Sequence, residues 1–182
     1  MRFLPLLSLL TVALAPEAAA MDESGPQAAL TVGVGALWFV HDDMLPSNDP
    51  TPAWSVRYAW DGGGMIGIDF AWTGNTGVER TAAQEMRVAN FLESDMKLVL
   101  MPKARFTPFA SAGIGWGHFL GAEENTDHAV FSLPMSLGAE VRGDRFIVAG
   151  RATWRRIYAD ETAFTSIGGD HLTTMVELGQ RF

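Results

Sequence analysis

The sequence predicts an all-β chain, closed as an eight-stranded antiparallel transmembrane β-barrel. Three observations carry this expectation. Eight segments alternate apolar with small or charged side chains, their connections alternate between short and long, and all six tryptophans take the apolar parity of their segments. Successive side chains of a strand point to opposite faces, so such alternation describes a sheet with a different solvent on each side. Most segments are near the roughly 9–11 residues that cross a bilayer at a tilt.

The chain opens on MRFLPLLSLLTVALAPEAAA, in which Arg2 precedes an apolar run over 3–14 and small residues fill 18–20. This layout predicts a secretory signal peptide over 1–20, cleaved after Ala20, with one barrel domain over 21–182. The run is too short for a spanning helix, and the alternative is a buried N-terminal helix. No cysteine occurs, which excludes a disulfide framework. The formal charge of -8 argues against a nucleic-acid partner, because phosphate backbones call for a basic surface.

The segments follow in order. Residues 28–40 set Leu30, Val32, Val34, Ala36, Trp38 and Val40 against Thr31, Gly33 and Gly35. Residues 53–61 set Trp54, Val56, Tyr58 and Trp60 against Ser55, Arg57, Ala59 and Asp61. A DGGG turn leads into 65–73, where Ile66, Ile68, Phe70 and Trp72 oppose Gly67, Asp69, Ala71 and Thr73. If that hairpin is symmetric about Gly63, Arg57 and Asp69 stand directly opposite each other. Residues 86–101 are noisier, with Asn90 and Ser94 on the apolar side and Phe91 on the polar side; a helix is conceivable, but period two fits the charges better. Residues 109–120, 130–141, 146–158 and 171–182 complete the set. Connections near Gly63, Lys103 and Gly143 are short, whereas those near 41–52, 74–85, 121–129 and 159–170 are long and polar. That rhythm is the plan of an outer-membrane barrel with short periplasmic turns and longer outer loops.

Tryptophan favours the headgroup level, where its body meets lipid and its N–H meets water. Trp38, Trp54, Trp72, Trp116 and Trp154 lie next to long loops and Trp60 next to a short turn, so the six are expected to form aromatic girdles. The competing account is an inward core, but a small barrel interior could hardly hold six indoles. The opposite parity is expected to line the lumen with a charge network: Arg57, Asp69, Arg87, Glu93, Asp95, Lys97, Glu140, Arg151, Arg155, Glu177 and Arg181. The interior of eight strands is only wide enough for side chains to fill, so these charges must pair. Glycines 33, 35, 113, 115 and 117 would relieve crowding there. GIGWG as a phosphate loop lacks both a following helix and a Lys-Ser/Thr.

The last segment, HLTTMVELGQRF, ends on Phe182 with apolar residues at alternate positions before it. Together with the glycine-bearing TPFASAGIGW strand, it makes the region 21–182 resemble the OmpA-like/OmpX-like family of small outer-membrane β-barrels of Gram-negative bacteria. That resemblance implies Phe182 as a C-terminal assembly signal read by the barrel-insertion machinery. It also implies residence in the outer membrane, contact with membrane lipid and lipopolysaccharide, a monomer, and a structural or loop-presenting role. Two rivals are a narrow pore and a lipid A-modifying enzyme. Small barrel enzymes of the PagL kind carry a His-x-Ser pair, and the nearest match is His171-Leu172-Thr173 with Glu177 on the same face. Threonine is the poorer nucleophile, and no catalytic residue is assigned. His118 is expected at the interface. His41-Asp42-Asp43 and Asp127-His128 carry metal-ligand residue types, but adjacent loop acids are usually solvated, and no metal or cofactor is assigned. Divalent cations could bridge the loop acids to anionic lipopolysaccharide.

Overall fold

The computed structural model describes residues 27–40, 50–78, 86–120, 128–158 and 170–182; the side chains of Phe39, Val78, Met86, Arg87, Phe119, Leu120 and His128 lie outside that description. So do the expected signal peptide over 1–20 and most of each long loop. Eight strands are formed: β1 (Gln27–Val40), β2 (Thr51–Asp61), β3 (Ile66–Val78), β4 (Met86–Val99), β5 (Phe106–Leu120), β6 (His128–Arg142), β7 (Phe146–Tyr158) and β8 (Asp170–Arg181). Each pairs antiparallel with the next, and β1 pairs with β8, so the sheet closes on itself. Closure satisfies every strand edge, which a bilayer interior without water demands.

The register fixes the shape. From Tyr158 on β7, direct partners run through Phe131, Trp116, Leu92, Trp72, Val56, Val32 and Leu178 to Val148, back on β7. One circuit therefore displaces the path by ten residues along β7, and this shear sets a strand tilt of about 40°. Eleven residues at that tilt rise about 28 Å, enough for the apolar band of an outer membrane.

The noisy fourth segment is a strand, β4. The hairpin between β2 and β3 is centred on Gly64, not Gly63: Arg57 faces Ala71 and Asp69 faces Ala59. Met65 belongs to the turn, where Gly63 adopts φ 77°, so the register moves by one step and Arg57 and Asp69 become diagonal neighbours. β3 also runs on to Val78, so the loop expected from residue 74 begins after it.

Burial alternates with the sequence parity but is inverted relative to a water-soluble domain. Val34, Leu137 and Met96 are about 70% exposed (71%, 69% and 67%), whereas Asp69 and Glu177 are at 0% and 1%. Inside, small apolar clusters flank the charges: Leu37, Ala53 and Met175, and Ala89, Phe91 and Val130, toward the loop end, and Ala29, Ala59 and Ile147 toward the turn end.

Candidate functional site

The lumen carries the chemistry, and its side chains form three tiers. At mid-height four residues from β2, β3, β7 and β8 close a ring of alternating charge. Asp69 Oδ2 sits 3.6 Å from Arg57 and 2.9 Å from Arg151, and Glu177 Oε1 sits 3.3 Å from each of the same two guanidinium groups. Asp95 adds a second carboxylate 3.6 Å from Arg57, and Arg151 also donates to the Ser111 hydroxyl at 3.3 Å. Toward the turns, Arg142 donates to Asp61 at 2.6 Å and to Glu140 at 2.8 and 2.9 Å, while Lys97 pairs with the other oxygen of Glu140. Arg181 closes this end by donating to the Gly143 carbonyl at 2.7 Å. Toward the loops, Arg155 grips Glu93 at 2.5–2.6 Å and reaches the Thr73 hydroxyl at 3.3 Å.

Two phenylalanines pack among these charges. Lys97 and Arg151 both lie over the Phe109 ring, at 4.9 and 4.5 Å, and Arg155 lies over Phe91 at 4.5 Å. Each ring covers a glycine directly across the sheet: Phe91 is registered with Gly117 and Phe109 with Gly138. A Cβ at either glycine would run into the ring, so the glycine is what admits an aromatic into so narrow a space.

Of the residues the sequence assigns to the lumen, ten are buried inside it: Arg57, Asp69, Glu93, Asp95, Lys97, Glu140, Arg151, Arg155, Glu177 and Arg181. The side chain of Arg87 lies outside the described residues. The sequence list omitted Arg142 and Asp61, whose signal was parity: Arg142 shares the face of Glu140, and Asp61 that of Arg57. With them, the described lumen balances six cations against six carboxylates.

His171 is buried with Phe91 edge-on at 5.9 Å, and it stands across the sheet from Arg155. Thr173 is the next residue on its face, whereas Glu177 shares the face but not the neighbourhood. Six residues of strand separate His171 from Glu177, about 20 Å, and the carboxylate of Glu177 is engaged by two arginines.

All six tryptophans have outward parity. Trp60, Trp72 and Trp116 are exposed, while Trp38, Trp54 and Trp154 are half-buried among neighbours, and Trp54 meets Trp72 edge-on at 4.7 Å. Trp72 sits six residues inside the end of β3, deeper than the sequence pattern placed it. His118 also points outward. Phe182 is on the outer wall, and its backbone exchanges two hydrogen bonds with Ala28, at 2.9 and 3.1 Å. Among the described residues no cluster of histidines and acids suits a metal. His41-Asp42-Asp43 and Asp127 fall outside the described residues, as does the side chain of His128.

No protein-family model and no curated protein matches the chain. Solved structures match in fold. One is Ail, the attachment invasion locus protein of Yersinia pestis, in complex with the heparin analogue sucrose octasulfate; it has a TM-score of 0.61 and 11% identity over 87% of this chain and 99% of that one. Neisserial surface protein A follows at 0.58 and 8%, over 87% and 96%. OprG from Pseudomonas aeruginosa gives 0.56 and 11%, over 88% and 97%. The outer membrane enzyme PagL also aligns, at 0.51 and 14% over 83% and 97%. At these identities the likeness shows architecture: the chain has the eight-stranded β-barrel fold of Gram-negative outer-membrane proteins.

Proposed function

We propose that the protein is an integral outer-membrane barrel of structural or surface-interaction type, whose sealed scaffold presents loops and neither conducts nor catalyses. The observation that carries this reading is the ring Arg57–Asp69–Arg151–Glu177. It joins β2 and β3 to β7 and β8, and its members are at most 4% exposed. A pore of this width would need charges that face water; here they face one another. The short turns and the β1–β8 seam at Ala28 and Phe182 then belong to the periplasmic side, and the long loops to the cell surface. A signal peptide over 1–20 and a terminal Phe182 recognised during insertion fit this route of export, as does the OmpA-like/OmpX-like resemblance.

Catalysis of the PagL kind fits poorly. His171 packs on Phe91, Glu177 is held by arginines, and the two are separated by half the barrel height, so they cannot act on one bond. Surface recognition differs from that of Ail as well, for which a heparin analogue is a ligand. The four stretches 41–49, 79–85, 121–127 and 159–169 contain a single lysine or arginine, Arg80, among many acids. Such loops suit cationic partners or divalent bridges to lipopolysaccharide better than sulfated polysaccharide.

Planar-bilayer recording tests the sealed lumen. The folded protein should leave the bilayer at its baseline, and steady ohmic steps from the wild-type chain would overturn the reading.

A further inference from the structure

The outer wall is dented on one side. Ser94 has outward parity on β4, directly between Phe70 of β3 and Ile114 of β5. Its short side chain leaves a groove of about 380 Å³ lined by Phe70, Leu92, Ser94, Ile114, Trp116 and Phe131. Given the register and tilt, this groove descends roughly 15 Å from Phe131 toward mid-membrane at Phe70. Its upper end is polar. Asn90 and His118 are direct partners one outward position above Leu92 and Trp116. Phe131 packs on Tyr158 with ring centroids 6.3 Å apart, and the Arg156 guanidinium lies 5.9 Å from the Tyr158 ring. Among the described strand residues, Arg156 is the one lysine or arginine on the outer wall. An outward charge is costly at the membrane centre and nearly free at the interface, so its place beside the groove mouth is one where a cation can stay.

We propose that this groove seats one acyl chain of a phosphate-bearing outer-leaflet glycolipid, the lipid A of lipopolysaccharide, with its phosphate held at Arg156. The apolar floor matches a chain in width and direction, the cation matches the phosphate, and both lie at the loop end, which faces the outer leaflet. Asp170 stands across the sheet from Arg156 and opposes the anion. The proposal rests on the membrane placement above but not on the sealed lumen, so conductance and lipid retention fail independently.

Native mass spectrometry of the refolded full chain tests it, with lipid A and dephosphorylated lipid A as probes. The wild type should retain lipid A about fivefold over the dephosphorylated form, the scale of one interfacial charge. Ser94→Trp should cut lipid A retention by about fivefold by filling the groove. Arg156→Gln should erase the preference for phosphate, and Asp170→Asn should increase lipid A retention. Val176→Trp, on the far wall, should change nothing. Heat-modifiable gel migration reports folding, and Arg156→Gln alters only an exposed side chain, so it decides the matter even if Ser94→Trp misfolds. Equal retention of the two lipids, or an unchanged phosphate preference in Arg156→Gln, would overturn the proposal.

Discussion

Asp95 and Met96 are consecutive residues on β4, yet Asp95 is 2% exposed and Met96 is 67% exposed. One faces Arg57 in the lumen and the other faces hydrocarbon. The two walls of the barrel obey different rules because their surroundings differ. Lipid makes no directional demand, so the outer wall needs only apolar bulk with aromatic and polar side chains at its edges. The lumen buries its side chains without supplying an apolar core, so the charges there depend on specific partners, most of them on other strands. Sequence change should therefore be tolerated outside and punished inside.

The sharpest way to break this contrast is Glu177→Gln, which keeps the volume and removes one carboxylate from the ring. Arg57 and Arg151 would then share Asp69, with Asp95 as the remaining nearby carboxylate. Removing one partner from a buried ion pair typically costs about 3–5 kcal/mol. Urea unfolding of the vesicle-inserted protein, followed by tryptophan fluorescence, should show that loss. Adding Arg57→Gln should return part of it, because the stranded cation goes too. A midpoint unmoved by Glu177→Gln would mean that the ring is solvated and the walls are less distinct than described.

The same contrast explains what the sequence could reveal. Fold class, strand number and facing came from period-two alternation, because in a barrel the parity of a residue alone decides its solvent. Lys97 and Glu140 could be placed inside without knowing that they touch. Partners were less legible, since pairing depends on register and register depends on turn geometry. Assigning Met65 to β3 instead of the turn put Arg57 opposite Asp69, two residues from its true partner Ala71. Arg142 was missed because RGDR reads as turn chemistry, although its first residue is the last of β6. Phe91 looked like noise in the alternation; its reason, the facing Gly117, lies on another strand. The groove at Ser94 was invisible for the same cause, being a relation among four strands.

An intermediate effect comes from breaking the outer wall. Leu137 lies near the middle of β6 and is 69% exposed to the membrane. Leu137→Arg places a charge near the bilayer midplane, where the expected cost is about 2–4 kcal/mol. The side chain is too far from either interface to escape fully by extending along the wall. Reversible unfolding from vesicles should show this penalty, and the same substitution at Phe131, near the loop edge, should cost clearly less. Equal penalties at the two depths would contradict a wall graded by membrane depth.

The smallest effect should come from Val34→Leu. Val34 is 71% exposed on β1, and its direct partners across the sheet are Trp54 and Val176, both also outward. The added methylene meets lipid instead of a packed interior, so neither a cavity nor overpacking follows, and the loss of one β-branch on a paired strand is worth only tenths of a kcal/mol. The unfolding midpoint should stay within about 0.5 kcal/mol of wild type, the range of ordinary surface substitutions. A methylene added just one residue earlier has a different fate, because Gly33 faces Ser55 and Glu177 inside the lumen, and even a Cβ there would collide with the Ser55 hydroxyl. Gly33→Ala should therefore destabilise by about 1–3 kcal/mol. Near-equal midpoints for the two variants would show that the lumen has slack, and would remove the physical basis for treating the two walls as different solvents.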